Sequence, residues 1–262
     1  MGKAMWFSGL VVGFSLLAAP ALAAKCGNTA AGFDSWKQSF AGEAKKKGIN
    51  DKAISALLGT TYATATIKAD RNQKSFKYTL AKFMQVRGAA TIVAQGKRQK
   101  AANAALFARL EKKYGVPAGP LIAVWGMETA FGRFTGSQNV LSATATLAYD
   151  CRRTVFFQEQ LYAMLKLVGS GKVPASAKGA MHGELGQTQF MPKNVVLYGG
   201  GGNLNGKEAA LTATARFLVG HGWQRGEGYQ PGEPNYGAIQ GWNAATVYQQ
   251  AIAIMGQKID GN

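Results

Sequence analysis

Acidic side chains are scarce in this sequence: 13 Asp and Glu stand among 262 residues, against 30 Lys and Arg. Two histidines and two cysteines are a poor set of metal donors, which argues against zinc- or iron-centred chemistry. The same two cysteines exclude a disulfide-dense scaffold. Beyond the amino terminus no run is long and apolar enough to span a bilayer. The charged fraction, 16%, lies below the roughly 25% of an average soluble domain. The formal charge still reaches +17, because so few acids offset the bases. An apolar content of 47% excludes a disordered chain and supplies a core for one large domain or two small ones.

Residues 1–23 read as an address. Lys3 precedes an apolar run over 6–19, Pro20 breaks it, and Ala21-Leu22-Ala23 has the small-x-small pattern of a signal-peptidase site. About 14 apolar residues are too few for a spanning helix. Cleavage after Ala23 removes one charge, Lys3, and leaves the mature chain, 24–262, at 17 − 1 = +16. Cys26 follows Lys25 rather than a small residue, so lipidation is not expected. These signs predict a periplasmic protein, and export redirects the meaning of the charge. Nucleic acid is no longer the natural polyanion; stem-peptide carboxylates of peptidoglycan, anionic headgroups and lipopolysaccharide phosphates are. The bases are scattered, with short clusters at Lys45-Lys46-Lys47 and over 97–100, so a simply solvated basic face is the alternative. An oxidising compartment also allows Cys26 and Cys151, 125 residues apart, to pair.

Most segments carry helical rather than alternating periodicity. Helices are expected over 34–47 with Asp34 as N-cap, 51–59 with Asp51 in that role, 78–95, 100–113, 121–130 after Pro117 and Pro120, 153–168, 207–219 and 243–257. In the 153–168 helix Val155, Phe156, Leu161, Met164, Leu165 and Val168 form the apolar face. Residues 60–78 read as irregular, and 169–186, 199–206 and 222–241 as loops. The expectation is one mainly α-helical domain with long loops, a place where function concentrates.

Most of the acids fall on polar faces or turns. Glu128 instead closes an apolar helix, with Val124 and Trp125 at i−4 and i−3 and Phe131 at i+3. Desolvation there raises a carboxyl pKa and suits it to general acid work; the competing reading is a glutamate turned outward near a helix end. A second segment, GELGQTQFMP over 183–192, describes a rigid turn entering a short helix, either a ligand-binding loop or plain punctuation. His182 and His221, 39 residues apart with no acid or thiol at ligand spacing, read as structural.

Together, GMETAFGR around Glu128, then LSATATLAYDCRRTVFF, then GELGQTQFMP resemble the lytic murein transglycosylases of the B family. The similarity is specific over about 112–200 and continues more weakly through ATARFLVGHGW to IQGWNAATVY. It implies a lysozyme-like, mainly α fold with a substrate cleft, with peptidoglycan glycan strands as the partner and no nucleic acid. The implied reaction cleaves between N-acetylmuramic acid and N-acetylglucosamine and leaves a 1,6-anhydromuramoyl end. Glu128 takes the place of the family's single acid/base. Gln189 and Phe190 match its Gln-Phe pair, the amide to hold Glu128 or an N-acetyl group and the ring to line the cleft. Arg152 and Arg153 match a basic pair suited to a substrate carboxylate. Asn243 and Tyr248 match an Asn and a Tyr that bind sugar and acetamido groups. Helix capping and core packing are the alternatives for these two.

Three positions depart from the family pattern. Ala180 stands where a serine is usual, which leaves a hydrogen bond to Glu128 absent or supplied by His182. Glu184 replaces a small apolar residue and brings a second carboxylate close. A cation-binding Asp-rich loop of some relatives is here GGGGNLNG over 199–206, so no metal and no cofactor are expected. Two rival readings follow: a hydrolytic muramidase using Glu128 and Glu184, and a non-catalytic peptidoglycan-binding scaffold. A monomer is expected, with other cell-wall enzymes as further partners.

Overall fold

The computed structural model describes residues 26–72 and 78–261, and the expected leader at 1–23 lies outside them. Among the described residues thirteen α-helices carry the fold. In chain order these are α1 (Phe33–Lys46), α2 (Asp51–Leu58), α3 (Thr64–Arg71), α4 (Leu80–Val86), α5 (Ala89–Ala102), α6 (Ala104–Tyr114) and α7 (Ala118–Thr129). They continue with α8 (Val140–Tyr149), α9 (Thr154–Gly169), α10 (Pro192–Tyr198), α11 (Lys207–Gly220), α12 (Tyr236–Trp242) and α13 (Thr246–Asp260). Two short strands, β1 (Gln138–Asn139) and β2 (Lys178–Gly179), pair antiparallel, with Gln138 opposite Gly179.

The apolar residues divide into two cores. One gathers Phe33, Trp36, Phe40, Leu141, Leu161 and Leu165 from α1, α8 and α9, with α2 and α3 at its edge. The other gathers Leu121, Ile122, Trp125, Phe217, Ile252 and Met255 from α7, α11 and α13, flanked by α4, α5, α6 and α12. The turn over 183–190 belongs to both. Leu185 sits in the first core and Phe190 in the second, and their backbones exchange two 2.9 Å hydrogen bonds.

Helix α7 is buried from Ala118 through Met127, so it has no polar face to orient it. Packing against α13 does that instead. A side chain at Gly119 would collide with the Gly256 carbonyl and the Asp260 carboxyl, so the two backbones meet directly. Asp260 Oδ1 accepts from Gly119 N at 2.8 Å, and its Oδ2 accepts from the Tyr229 hydroxyl at 2.8 Å. A carboxylate from α13 therefore caps the positive end of α7. At the other core a disulfide joins Cys26 to Cys151, and Gly27 N donates to Tyr149 O at 3.0 Å.

Several elements differ from the sequence expectation. Asp34 and Asp51 sit inside their helices; Gly32 and Asn50 hold the N-cap positions, with Asn50 accepting from Ala53 N. The 60–78 stretch contains α3, whose entry is fixed when Ala63 N donates to Thr146 Oγ1 at 2.8 Å. Gly88, at φ 68°, separates α4 from α5, and Asn103 separates α5 from α6. Helix α7 begins three residues early, at Ala118, and the reading of 222–241 as loop missed α12. The 243–257 helix begins only at Thr246. Val155 and Phe156 are exposed at 77% and 46%, and the buried face of α9 uses Phe157 and Gln160 in their place.

Candidate active site

Glu128 is the penultimate residue of α7, two positions before the backbone leaves the helix. Ala130 and Phe131 take left-handed φ values of 48° and 64°, which stop the helix and fold the Phe131 ring edge-on against Trp125 at 5.3 Å. Two hydrogen bonds then fasten the 183–190 turn to α7. Trp125 Nε1 donates to Gln187 Oε1 at 2.8 Å, and Thr129 Oγ1 donates to Gln187 O at 2.6 Å. The turn has its own left-handed residue, Gln189 at φ 55°, between Gly186 and Phe190. These three are the non-glycine positive-φ residues among those described, and all lie around Glu128.

The Glu128 side chain is partly exposed, while protein groups hold one end of its carboxyl. Oε1 accepts from the Tyr248 hydroxyl at 2.5 Å and from Trp242 Nε1 at 3.3 Å. Burial pushes this carboxyl above its ordinary value, and the two donors and the Arg87 charge oppose that rise without cancelling it. Glu184 adds a smaller upward push. Arg87 itself donates to Met127 O at 2.8 Å. Tyr248 is held well above the usual phenol range, first by burial and then by the Glu128 charge, so it remains a donor. A carboxyl protonated more readily than usual, beside a phenol that stays protonated, can give a proton and take one back.

The other expected residues have different surroundings. Gln189 Nε2 donates to Gly186 O at 2.9 Å and to Thr135 O at 3.2 Å, so its amide braces the turn. Phe190, expected to line the cleft, is 2% exposed. Its ring supports Trp242 edge-on at 5.1 Å from below. Asn243 Oδ1 accepts from Ala245 N at 2.9 Å, and the residue opens with 244–247 onto a groove of about 460 Å³. It caps a turn before α13 rather than the helix itself.

Arg152 and Arg153, expected at a substrate carboxylate, both bind a carboxylate inside the protein. Arg152 Nε donates to Asp70 Oδ2 at 2.6 Å, and Arg153 Nη2 pairs with Asp70 Oδ1. Asp70 is 2% exposed; burial pushes its carboxyl up, and the two guanidiniums outweigh that and hold it below the ordinary range. Glu184 turns to His182, accepting from its backbone N at 2.9 Å, with Nδ1 at 3.4 Å. Burial opposes the Glu184 charge, but the His182 contacts prevail and lower its pKa. Sequence reasoning missed Trp242, Arg87 and Gln187 as partners of α7; Trp242 stood next to the named Asn243 and Gln187 inside the quoted 183–192 motif, while Arg87 had no local signal. Among the described residues no group of three His, Cys, Asp or Glu is placed to hold a metal ion.

The transglycosylase SLT domain family matches residues 32–232, most of the chain. The chain belongs to this family. Over 137 residues this SLT-domain chain is 32% identical to the membrane-bound lytic murein transglycosylase B of Escherichia coli K12. That alignment covers 47% of the chain and 38% of the relative, so the chain spans well under half of the relative's length in this match. Among solved structures it is similar to SltB3 of Pseudomonas aeruginosa in complex with NAG-anhNAM-pentapeptide, at TM-score 0.79 and 26% identity. That similarity covers 88% of this chain and 80% of SltB3. The lytic transglycosylase Slt35 of Escherichia coli, in complex with bulgecin A, is similar in fold at TM-score 0.74 and 20% identity, over 90% and 96% of the two chains. The lysozyme-like transglycosylase fold follows from these likenesses.

Proposed function

We propose that this SLT-domain protein is a periplasmic lytic transglycosylase that cleaves peptidoglycan glycan strands, with Glu128 as its one acid/base. The observation that carries the reading is the Glu128 carboxyl itself. It is raised by burial, reachable at the surface, and held through one oxygen by Tyr248 and Trp242. Protonated Glu128 gives its proton to the glycosidic oxygen as that bond breaks. The carbonyl of the substrate's own 2-acetamido group attacks the anomeric carbon, so no second protein carboxylate is required. Carboxylate Glu128 then takes the proton from the muramoyl C6 hydroxyl as O6 attacks the anomeric carbon; the bond from that carbon to the acetamido oxygen breaks, which restores the acetamide and closes the 1,6-anhydro ring. One proton leaves Glu128 and one returns, and no water is consumed.

The pairing of Glu184 with His182 supports the single-carboxylate route over hydrolysis by two acids. Arg152 and Arg153 keep 44% and 36% of their side chains open, so an outer guanidinium edge can still meet a stem-peptide carboxylate. Asn243 and Tyr248 flank the sugar on the α13 side. The working form is a monomer, with other cell-wall enzymes as its neighbours.

Incubating the protein with purified sacculi and weighing the products tests the proposal. Muropeptides with 1,6-anhydromuramoyl ends are expected. Reducing-end muramic acid would mean hydrolysis, and retention on sacculi without glycan release would mean a scaffold. Glu128→Gln is expected to lower release by about a thousandfold, the typical scale of a general acid/base contribution.

A further inference from the structure

Trp242 has no part in the mechanism above beyond contact, yet its placement is unusually determined. It ends α12, six residues before Tyr248, and Phe190 and Phe217 stand edge-on to its ring at 5.1 and 4.8 Å. Those rings fix the direction of the indole N–H. It reaches Glu128 Oε1 at 3.3 Å and also interacts with the Tyr248 hydroxyl. Oε1 therefore receives two donors, and both of its lone pairs are engaged.

A carboxyl oxygen with two incoming hydrogen bonds cannot carry the acidic proton without losing one of them. The proton belongs on the other oxygen. We propose that Trp242 is a positioning residue that, with Tyr248, holds Oε1 of Glu128 as acceptor and so fixes the transferable proton on Oε2. This rests on the reading of Glu128 as acid/base. The consequence is directional: one oxygen both delivers and recovers the proton, and the side chain need not rotate between the two steps. The indole also favours the carboxylate over the acid, because a hydrogen bond to a charged oxygen is the stronger one. Trp242 thus limits how far burial raises the Glu128 pKa, and keeps the group able to serve as base in the second step.

The test replaces position 242 alone with benzothienylalanine, which keeps the tryptophan ring shape and exchanges the N–H for sulfur. Trp242→Phe serves as a second variant. In the full chain the Glu128 carboxyl is followed by ¹³C NMR titration, its signal identified by its absence in Glu128→Gln. Loss of the donor is expected to raise that pKa by about one unit. The basic limb of the pH–rate profile for anhydromuropeptide release moves up by the same amount, and the unfolding temperature of the isostere stays with the parent. A titration unchanged in the isostere overturns the proposal. If Glu128→Gln retains turnover, the acid/base reading falls, while the NMR titration still decides whether Trp242 controls the carboxyl.

Discussion

At the scale of the residue, the opposed carboxyls Glu128 and Asp70 make opposite demands on pH. Glu128 has a folded pKa above its ordinary value of 4.5, so between those two values the native state binds more proton than the unfolded chain. Stability from this group therefore falls as pH rises through that window. Glu128→Gln removes the cost; its unfolding temperature should match the parent below about pH 4 and exceed it at pH 8. Calorimetry at both pH values checks this, and a variant no more stable at pH 8 would refute it. Asp70 works the other way: held low by Arg152 and Arg153, it stabilises the fold above its ordinary pKa and loses that contribution as acid is added. The setting of Glu128 was legible in the sequence, because helical spacing alone brings Val124 and Trp125 beside it. Of its donors, Tyr248 was named only through the family resemblance and as a sugar ligand, and Trp242 not at all, since they return from 120 and 114 residues away. Arg152 and Arg153 were legible as a basic pair, but Asp70 lies 82 and 83 residues before them, with no local signal.

At the scale of the element, α7 and α13 matter most, because one carries Glu128 and the other Tyr248. Their register is set at the far end, where Gly119 touches the Gly256 carbonyl under the Asp260 cap. Gly119→Ala should force the helices apart, destabilise the protein by about 2 kcal/mol and lengthen the Tyr248–Glu128 contact. Denaturant titration measures the first effect, and loss of turnover in the remaining folded protein measures the second. Three helices escaped the sequence reading for separate reasons. The threonines of α3 look irregular until Thr146 satisfies the backbone at Ala63. All ten residues of α8 are buried, so no polar face marks a period. The glycines and prolines around α12 conceal its one apolar pair, Ala238 and Ile239.

At the scale of the whole molecule, two cores share one turn, and a covalent tie braces the core of α1, α8 and α9. The disulfide closes 125 residues and anchors the amino-terminal segment to the start of α9. Reduction, or Cys26→Ser, should lower stability by about 2–4 kcal/mol, read as a lower unfolding temperature with reductant than without. An unchanged transition would show that Cys26 is not bonded in solution. The mainly helical character was legible from periodicity, and a candidate site was proposed from three motifs; the division into two cores was not legible, because it depends on which helices meet across the chain. The left-handed backbone at Ala130, Phe131 and Gln189 has a consequence for engineering. Glycine at Ala130 or Gln189 would relieve about 1 kcal/mol of conformational strain each. A screen for heat-tolerant variants that ignores turnover would therefore enrich changes beside Glu128 and return robust proteins with a blurred active site.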